Sequence, residues 1–406
     1  MNGDIQPKPA DPDGSDIPMA YATSSQNVDA VYALPAAATN IAPPSNRKLL
    51  TPEKEAMLNK KGFPSGIAQE LVLNIQESPV RFWVIDNSGS MWKSDGHTLR
   101  GTGKNKQLVP CTRWAEMQAT VEYHAELSGL LEAPTIFYML NPPGGPHVPM
   151  QFSVAEHGAA NIPLDIRKAQ EAMQACQPQG PTPLSQRLVD IREKIVAIAP
   201  RLFANGQKVV VVLATDGIPT DELGGTSPEA AREFVQVLRS LQNLPVWLVV
   251  RLCTDDEETR QFYNSLDTEL EIPLEVVDDF VAESMEVTKQ NTWLNYGLSL
   301  HRCREMGTQH RLFDLLDERQ LNRDEVKEFL ELLFGPASLE FAPDVHTDWK
   351  GFIKEVTRLV KQHPQEWNPR TKKNEPWVDV KKLEKCFIER RGLLAKLGSS
   401  RRKAVP

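Results

Sequence analysis

The stretch FWVIDNSGSMW places one carboxylate and two hydroxyls directly after a run of apolar residues. Asp86, Ser88 and Ser90 are spaced two apart, in a turn that follows a predicted buried strand. In an open α/β sheet, ligands bind outside the carboxyl ends of the strands. This turn therefore lies where a binding site is expected.

Two further stretches supply oxygen atoms of the same kind. Thr182 lies in GPTPLSQRL, just ahead of a predicted helix, and Asp216 ends the strand of VVVVLATDGIPT. With Asp86, Ser88 and Ser90 they offer two carboxylates and three hydroxyls, a hard-oxygen set that suits Mg²⁺ or Mn²⁺ better than zinc or copper. Five protein oxygens leave at least one octahedral position open, so we expect a magnesium-type site that an incoming carboxylate can complete.

Each of these residues also has an ordinary structural explanation. Asp86 could cap a helix, Ser88 and Ser90 could accept hydrogen bonds from turn amides, and Thr182 could be the N-cap before Leu184. Any one residue alone favours that explanation. Five in one pattern favour metal binding, with a preformed but rarely filled site as the alternative.

The elements that must position these residues are predicted from the alternation of apolar and amphipathic stretches between residues 79 and 297. The predicted strands are 80–85, 135–140, 148–154, 209–214, 246–252 and 274–277. The predicted helices are 114–131, 164–176, 184–203, 228–241 and 257–266. Near-strict alternation of strand and helix predicts a doubly wound, Rossmann-like α/β fold with a mainly parallel sheet.

The connection NPPGGPH between the second and third predicted strands is of the hairpin type, so one of the two should run antiparallel at a sheet edge. Four other regions flank this domain. We expect a disordered tail, a short helical brace, a small all-α domain and a basic tail, over residues 1–46, 47–78, 298–395 and 396–406 respectively.

The motifs DNSGS, GPTPL and ATDG resemble, in type, order and strand–loop context, the metal-ion-dependent adhesion site (MIDAS) of von Willebrand factor type A (VWA) domains. The resemblance covers roughly residues 79–279. It implies that Ser88, Ser90 and Thr182 coordinate the metal, and that Asp86 and Asp216 bind it directly or through water. It also implies that a Glu or Asp of a partner protein takes the open position.

One segment departs from that family pattern. The family's helix usually starts soon after the second serine, whereas WKSDGHTLRGTGKNKQLVPC intervenes here before Trp114. We expect an inserted loop over the metal edge, whose basic residues steer acidic partners or restrict access. An ordinary solvated loop is the alternative.

Two other polar features have structural explanations. His124 lies at helical spacing from Met117 and Val121, which predicts a core histidine and makes a ligand role improbable. Acidic residues 255–258 fall at a predicted helix start, where they suit the helix dipole. A second metal site there is the minor alternative.

The region after residue 298 raises the question of calcium. FDLLDERQLNRDEVKEF resembles an EF-hand, yet a loop starting at Asp317 puts Arg319 and Leu321 at ligand positions and Asn322 where glycine belongs. A loop starting at Asp314 also lacks oxygen-bearing side chains at some of the ligand positions. We expect a degenerate, structural EF-hand-like pair, with an unrelated helical bundle as the alternative and Ca²⁺ binding left open.

Composition narrows the class of protein. A net charge of -8 argues against nucleic acid as a partner, and five scattered cysteines without a CxxC pair are typical of reduced intracellular thiols. The N-terminus lacks a signal-peptide pattern, and the longest aliphatic run is too short to span a bilayer. We expect a cytoplasmic protein, with a nuclear location as the alternative.

These features predict a non-enzymatic, divalent-metal-dependent protein-interaction module that binds a partner's acidic residue. The alternatives are a calcium-responsive EF-hand-like protein and a scaffold with a vestigial metal site. A hydrolase or phosphatase is the least favoured, because Ser88 stands where haloacid-dehalogenase-like phosphatases need a second Asp for proton transfer. No G-x-S-x-G or H-E-x-x-H motif is present.

Overall fold

The computed structural model describes residue 41 and residues 50–101, 103–145, 148–221, 223–254 and 256–387 of the 406-residue chain. The predicted disordered tail lies outside the described residues, apart from residue 41, and so does the predicted basic tail. No helix in the described part of the chain combines the length and the apolar character needed to cross a membrane.

The strands form one large sheet and two hairpins. In chain order they are β1 (Val80–Ile85), β2 (Gly96–Arg100), β3 (Gln107–Cys111), β4 (Thr135–Met139), β5 (Gln151–Val154), β6 (Val209–Thr215), β7 (Val246–Leu252), β8 (Leu274–Val277), β9 (Glu366–Asn368) and β10 (Lys373–Glu375). The large sheet has the order β5-β4-β1-β6-β7-β8. Five of its strands are parallel, and the edge strand β5 is antiparallel to β4. The predicted fold class is therefore confirmed, including the antiparallel edge strand.

The helices cover both faces of the sheet and build the region after it. In chain order they are α1 (Pro52–Lys60), α2 (Ser65–Glu77), α3 (Arg113–Leu131), α4 (Ile162–Ala175), α5 (Leu184–Asn205), α6 (Pro228–Arg239), α7 (Glu257–Glu269), α8 (Phe280–Gln290), α9 (Leu298–Glu305), α10 (Arg311–Glu318), α11 (Arg323–Phe334), α12 (Trp349–Gln362) and α13 (Val380–Cys386). Helices α3 and α4 pack on one face, and α5, α6 and α7 pack on the other. Since both faces are covered, β1 and β6 are apolar at nearly every position and fully buried.

The segment inserted between the first motif and α3, expected as a loop, contains a β-hairpin that the sequence analysis did not predict. Strands β2 and β3 pair antiparallel with Leu99 opposite Leu108, and both leucines pack against buried residues of the C-terminal region. Lys106 forms an ion pair with Glu366 at 3.2 Å. The cross-strand pair of Leu99 and Leu108 and the Lys106 ion pair hold the hairpin against the rest of the molecule.

A second hydrophobic core joins the two ends of the described chain. Residues of α1 and α2, such as Leu58 and Ile67, are buried together with Leu330 and Val356 of α11 and α12. The C-terminal region is mainly helical, as predicted, although the short strands β9 and β10 form a hairpin within it. All five cysteines are free thiols.

Arg81 links this second core to the sheet. It lies in β1 and is fully buried. Its Nε donates to the carbonyl of Met306 at 3.2 Å, Nη1 donates to the carbonyl of Ser78 at 2.9 Å, and Nη2 donates to the Asn74 side chain. Burial lowers the pKa of Arg81 to about 10. A buried guanidinium is thus held by backbone and amide oxygens from two segments of the chain, the end of α2 and the residue Met306.

Candidate functional site

The two predicted carboxylates meet at the carboxyl edge of the sheet. Asp86 follows β1 and Asp216 follows β6, and these parallel strands are neighbours with Ile85 opposite Ala214. The Asp86 amide continues the ladder by donating to the carbonyl of Ala214 at 2.9 Å. Both aspartates are almost completely buried. Strand pairing therefore places two carboxylates side by side in a site of low solvent exposure.

A chain of hydrogen bonds joins four of the five predicted residues. The Ser88 and Ser90 hydroxyl oxygens are 2.9 Å apart, and the Ser90 hydroxyl donates to Asp216 Oδ1 at 2.7 Å. Asp86 Oδ1 accepts from the Ser88 amide at 2.8 Å, and its Oδ2 accepts from the Thr215 hydroxyl at 2.7 Å. A short 3₁₀ helix, Gly89–Trp92, turns the two serines toward the end of β6. The first and third motifs thus form one polar cluster.

Thr182 lies on the loop beside this cluster. The carbonyl of Gly180 accepts from the Gly89 amide at 3.1 Å, which holds the loop against the first motif. Gly180 has φ +84, a conformation that favours glycine. The Thr182 amide donates to the Thr220 hydroxyl at 2.8 Å. The structure thus places Thr182 on a loop that contacts the first motif through Gly180, and no hydrogen bond among the described residues joins Thr182 to the four linked residues.

Asn87 fastens the loops around the cluster, a role that the sequence analysis missed. Its side-chain amide donates to the carbonyl of Asn141 at 2.9 Å, and its Oδ1 accepts from the Asn141 amide at 2.7 Å. The Asn141 side chain in turn donates to the carbonyl of Pro181 at 2.7 Å. The only sequence signal was a polar residue between Asp86 and Ser88, which predicts burial poorly.

Arg113 is the second residue that the sequence analysis missed. It begins α3, is 3% exposed, and its Nη1 donates to Asp216 Oδ2 at 2.8 Å. Its Nε donates to Asp95 Oδ1 at 2.6 Å, at the start of the inserted hairpin. The guanidinium therefore bridges one carboxylate of the cluster and one of the hairpin. An arginine at a predicted helix start gave no signal of such a role.

Burial and charge set the protonation of this cluster. Burial and, next, the neighbouring charge of Asp216 together raise the pKa of Asp86 to about 6, against the hydrogen bonds from Thr215 and Ser88. Burial alone would lower the pKa of Arg113, but its hydrogen bonds to Asp95 and Asp216 leave it above the usual range. The hydrogen bond from Arg113 holds the pKa of Asp95 below its ordinary value. Asp86 and Asp216 are adjacent, buried and repel each other, and Arg113 contacts Asp216. A further cation would therefore be favoured beside the two carboxylates.

The oxygen spacing fits a magnesium-sized ion. Adjacent ligands of an octahedron with metal–oxygen bonds of about 2.1 Å lie about 3 Å apart. The Ser88–Ser90 and Ser90–Asp216 oxygen pairs, at 2.9 Å and 2.7 Å, are close to that spacing. Within the described ranges, no three or more His, Cys, Asp or Glu residues are arranged to hold a metal. Any metal at this cluster would therefore rely on hydroxyls beside its two carboxylates.

Other predicted features have structural roles in the described chain. His124 is fully buried, as expected, with its Nε2 2.8 Å from Glu305 Oε2. Asp256 caps α7 by accepting from the Thr259 amide at 2.9 Å, in line with the expected helix start, whereas residue 255 lies outside the described residues.

The EF-hand-like connection between α10 and α11 is built around a helix cap. Asn322 and Glu325 form a capping box at the start of α11. The hydrogen bond from Arg319 lowers the pKa of Glu325 to about 2. Glu325, which would be the position-12 ligand of a loop starting at Asp314, is here engaged in capping and in an ion pair with Arg319.

Two comparisons of the sequence with known proteins identify no relative. The chain matches no protein-family model. A comparison with curated protein sequences gives no significant match either.

Proposed function

We propose that this protein is a non-enzymatic, divalent-metal-dependent protein-interaction module of the VWA type. Asp86, Ser88, Ser90, Thr182 and Asp216 would hold Mg²⁺ or Mn²⁺ at the carboxyl edge of the sheet. The bound ion would supply a Lewis-acidic position for the carboxylate of a partner's Asp or Glu. The observation that carries the proposal is the continuous hydrogen-bonded chain from Ser88 through Ser90 to Asp216.

The charges around the cluster support a carboxylate as the partner group. Two aspartates balance a dication, and Arg113 adds a positive charge beside them. The hydroxyl ligands are neutral, so they leave the ion electrophilic. Asp95 balances Arg113, so the loaded site would be neutral overall and an incoming anion would meet the electrophilic ion without net repulsion.

Metal binding is tested by calorimetric titration of the full chain with Mg²⁺, Mn²⁺ and Ca²⁺. We expect binding of Mg²⁺ or Mn²⁺, and an affinity lower by about tenfold or more in Asp86→Ala and in Ser90→Ala, because metal sites lose that much even when an outer partner is removed. Asp324→Ala is the matched control, since Asp324 is an exposed aspartate of α11. No metal binding, or equal affinity in wild type and Asp86→Ala, would contradict the proposal.

The interaction is tested by affinity capture from cell extract with Mg²⁺ present or chelated. We expect a set of proteins that wild type retains only with Mg²⁺ and that Asp86→Ala does not retain. Glutamate- and aspartate-to-alanine substitutions in a captured protein should then locate the carboxylate. If the metal binds but capture does not depend on it, the site is a structural one and the interaction role is wrong.

A further inference from the structure

The edge strand β5 has an outer side that is free to form hydrogen bonds. Within the described chain it pairs only with β4, with Gln151 opposite Tyr138. The Met139 amide donates to the carbonyl of Met150 at 2.8 Å. Because hydrogen-bonded and non-hydrogen-bonded pairs alternate in an antiparallel ladder, Gln151 and Ser153 direct their amides and carbonyls away from β4. The open edge therefore offers donors and acceptors at two positions that are two residues apart.

Neither the sequence of β5 nor its surroundings block a further strand at this edge. Sheet edges are commonly protected by proline or by charged side chains, and β5, which reads QFSV, has neither. A groove of 580 Å³ lies between β5 and α4. Gln151 and Phe152 both line this groove although their side chains point to opposite faces of the sheet, so the groove contacts β5 at its open edge.

Helix α4, the other wall of the groove, carries a stripe of side chains that is complementary to its own reverse. Four exposed residues form this stripe: Leu164, Lys168, Glu171 and Ala175. Their spacing of four, three and four places them on one face of the helix. Reversing the helix direction exchanges Leu164 with Ala175 and Lys168 with Glu171. A second α4 laid antiparallel would thus set a large apolar side chain against a small one, and each lysine against a glutamate.

We propose that this edge is the interface between two copies of the chain, in which β5 pairs antiparallel with β5 of the second copy about a two-fold axis at Phe152. The axis sets Gln151 of each copy opposite Ser153 of the other, and both pairs exchange amide-to-carbonyl hydrogen bonds. The two sheets become one continuous sheet. The same axis makes the two α4 helices antiparallel on one face of that sheet, so Lys168 of each copy faces Glu171 of the other.

The charges of this face favour a second copy over an unrelated peptide. An extended peptide could use the same backbone groups of β5. Lys168 and Glu171 cancel each other, however, so the stripe attracts neither a basic nor an acidic segment as a whole. It matches a surface on which the two charges occur in the reverse order, and a two-fold axis supplies that surface because both subunits contribute the same patch.

The strand pairing is tested by sedimentation equilibrium of the full chain in EDTA, which keeps the Asp86 cluster from binding a carboxylate of another copy through a metal. We expect wild type to show a reversible monomer–dimer equilibrium. Ser153→Pro removes an outward-facing amide and leaves the ladder with β4 intact, a position at which edge strands accept proline. This variant should raise the dimer dissociation constant about tenfold or more.

The helix contact is tested by exchanging the charges of the stripe. Lys168→Glu alone and Glu171→Lys alone should each weaken self-association about tenfold or more, because both symmetry-related pairs become like-charged. An equimolar mixture of these two variants should associate about as tightly as wild type, because each pair across the axis then joins opposite charges again. Lys350→Glu and Glu193→Lys, at exposed positions of α12 and α5, are the controls and should self-associate like wild type.

Three outcomes would overturn the proposal. A wild-type chain that stays monomeric would exclude a second copy as the occupant of this edge. A dimer that Ser153→Pro leaves unchanged would exclude pairing through β5. A mixture of the charge variants that associates no better than either variant alone would exclude the α4 contact. Circular dichroism checks that all variants are folded, and since EDTA is present, none of these results depends on the proposed metal site.

Discussion

Asp216 shares its two oxygens between different partners. Oδ1 accepts from the Ser90 hydroxyl at 2.7 Å, and Oδ2 accepts from Arg113 at 2.8 Å. A metal bound at the cluster would therefore compete with a fixed guanidinium for the charge of one carboxylate. We expect weaker metal binding than the same five ligands would give without that arginine.

Replacing Arg113 should strengthen metal binding. Removing one positive charge about 5 Å from a dication is worth more than about 1.5 kcal/mol even at the dielectric constant of bulk water, so Arg113→Gln should tighten Mg²⁺ binding by about tenfold or more. Calorimetric titration measures the change. Arg100→Gln, which removes an exposed charge from β2, is the control. Weaker binding in Arg113→Gln would instead mean that Arg113 mainly orients Asp216.

His124 should make the protein sensitive to acid. Burial lowers its pKa to about 4, despite the hydrogen bond to Glu305, whereas an unfolded histidine titrates near pH 6.5. The unfolded state thus takes up a proton first, and stability present above about pH 6.5 is lost as the pH falls toward 4. The free energy of unfolding of wild type should fall by about 2 kcal/mol more than that of His124→Gln between about pH 7.5 and pH 5. Urea titrations at both pH values measure this, with the exposed His346→Gln as control; parallel curves for wild type and His124→Gln would contradict it.

The sequence predicted the five oxygen-bearing residues because each follows a strand or precedes a helix in a local pattern. It did not predict Arg113, because that residue's partners Asp95 and Asp216 are 18 and 103 positions away. Ion pairs of that separation depend on how α3 meets the sheet, and no local spacing encodes that contact.

At the scale of elements, α2 and α11 approach unusually closely at Gly66. A Cβ atom there would lie 2.3 Å from the carbonyl oxygen of Leu332 and 2.5 Å from the amide of Gly335. Both contacts are backbone, which cannot rotate away. The helical brace before the sheet is therefore fitted against the helical region after it.

Gly66→Ala should destabilise the protein although alanine favours helices. Overpacking against the backbone costs about 1–3 kcal/mol of stability. Alanine recovers about 1 kcal/mol through its higher helix propensity, so the cost equals or exceeds the gain. Chemical denaturation of Gly66→Ala should show a lower midpoint with an unchanged slope. Gly217→Ala is the control, since its Cβ would meet no atom within 4 Å. A midpoint equal to or above that of the control would disprove the close fit.

The hairpin β2–β3 shows the limit of pattern reading for elements. The inserted segment was expected to be a loop, and its described residues 101 and 103–106 do form the tip that joins the two strands. The flanking Leu99 and Leu108 pack against the second hydrophobic core, and this contact with residues distant in the sequence stabilises the hairpin. A single pair of leucines was too short a signal to predict strands.

At the scale of the whole molecule, the sheet is enclosed by chain segments that precede and follow it. The core around Leu58, Ile67 and Leu330 joins the first helices to the last ones, and Gly307 lies against Val210 of the central strand β6. The alternation of strands and helices predicted the sheet and its order of elements. It did not reveal this shared core, because the contributing residues are separated by the entire α/β region.

We expect the described chain to unfold in one cooperative transition. Loss of the C-terminal region would expose Ile67 and Leu58 and remove one of the three acceptors of Arg81, so neither part is stable without the other. Scanning calorimetry should give a single peak whose van't Hoff and calorimetric enthalpies agree. Near-ultraviolet circular dichroism should give the same midpoint. Two separate peaks would contradict the shared core.

The buried Arg81 also affects when the fold can be completed during synthesis of the chain. Its Nε donates to the carbonyl oxygen of Met306, which is synthesised 225 residues after Arg81. At about 5–20 residues per second, synthesis of that interval takes about 10 to 45 s. Until then the Arg81 guanidinium lacks one of its native hydrogen-bond acceptors. Strand β1 can therefore pair early, but Arg81 cannot be fully hydrogen-bonded in the core. Completion of this fold on the ribosome must wait for its C-terminal third.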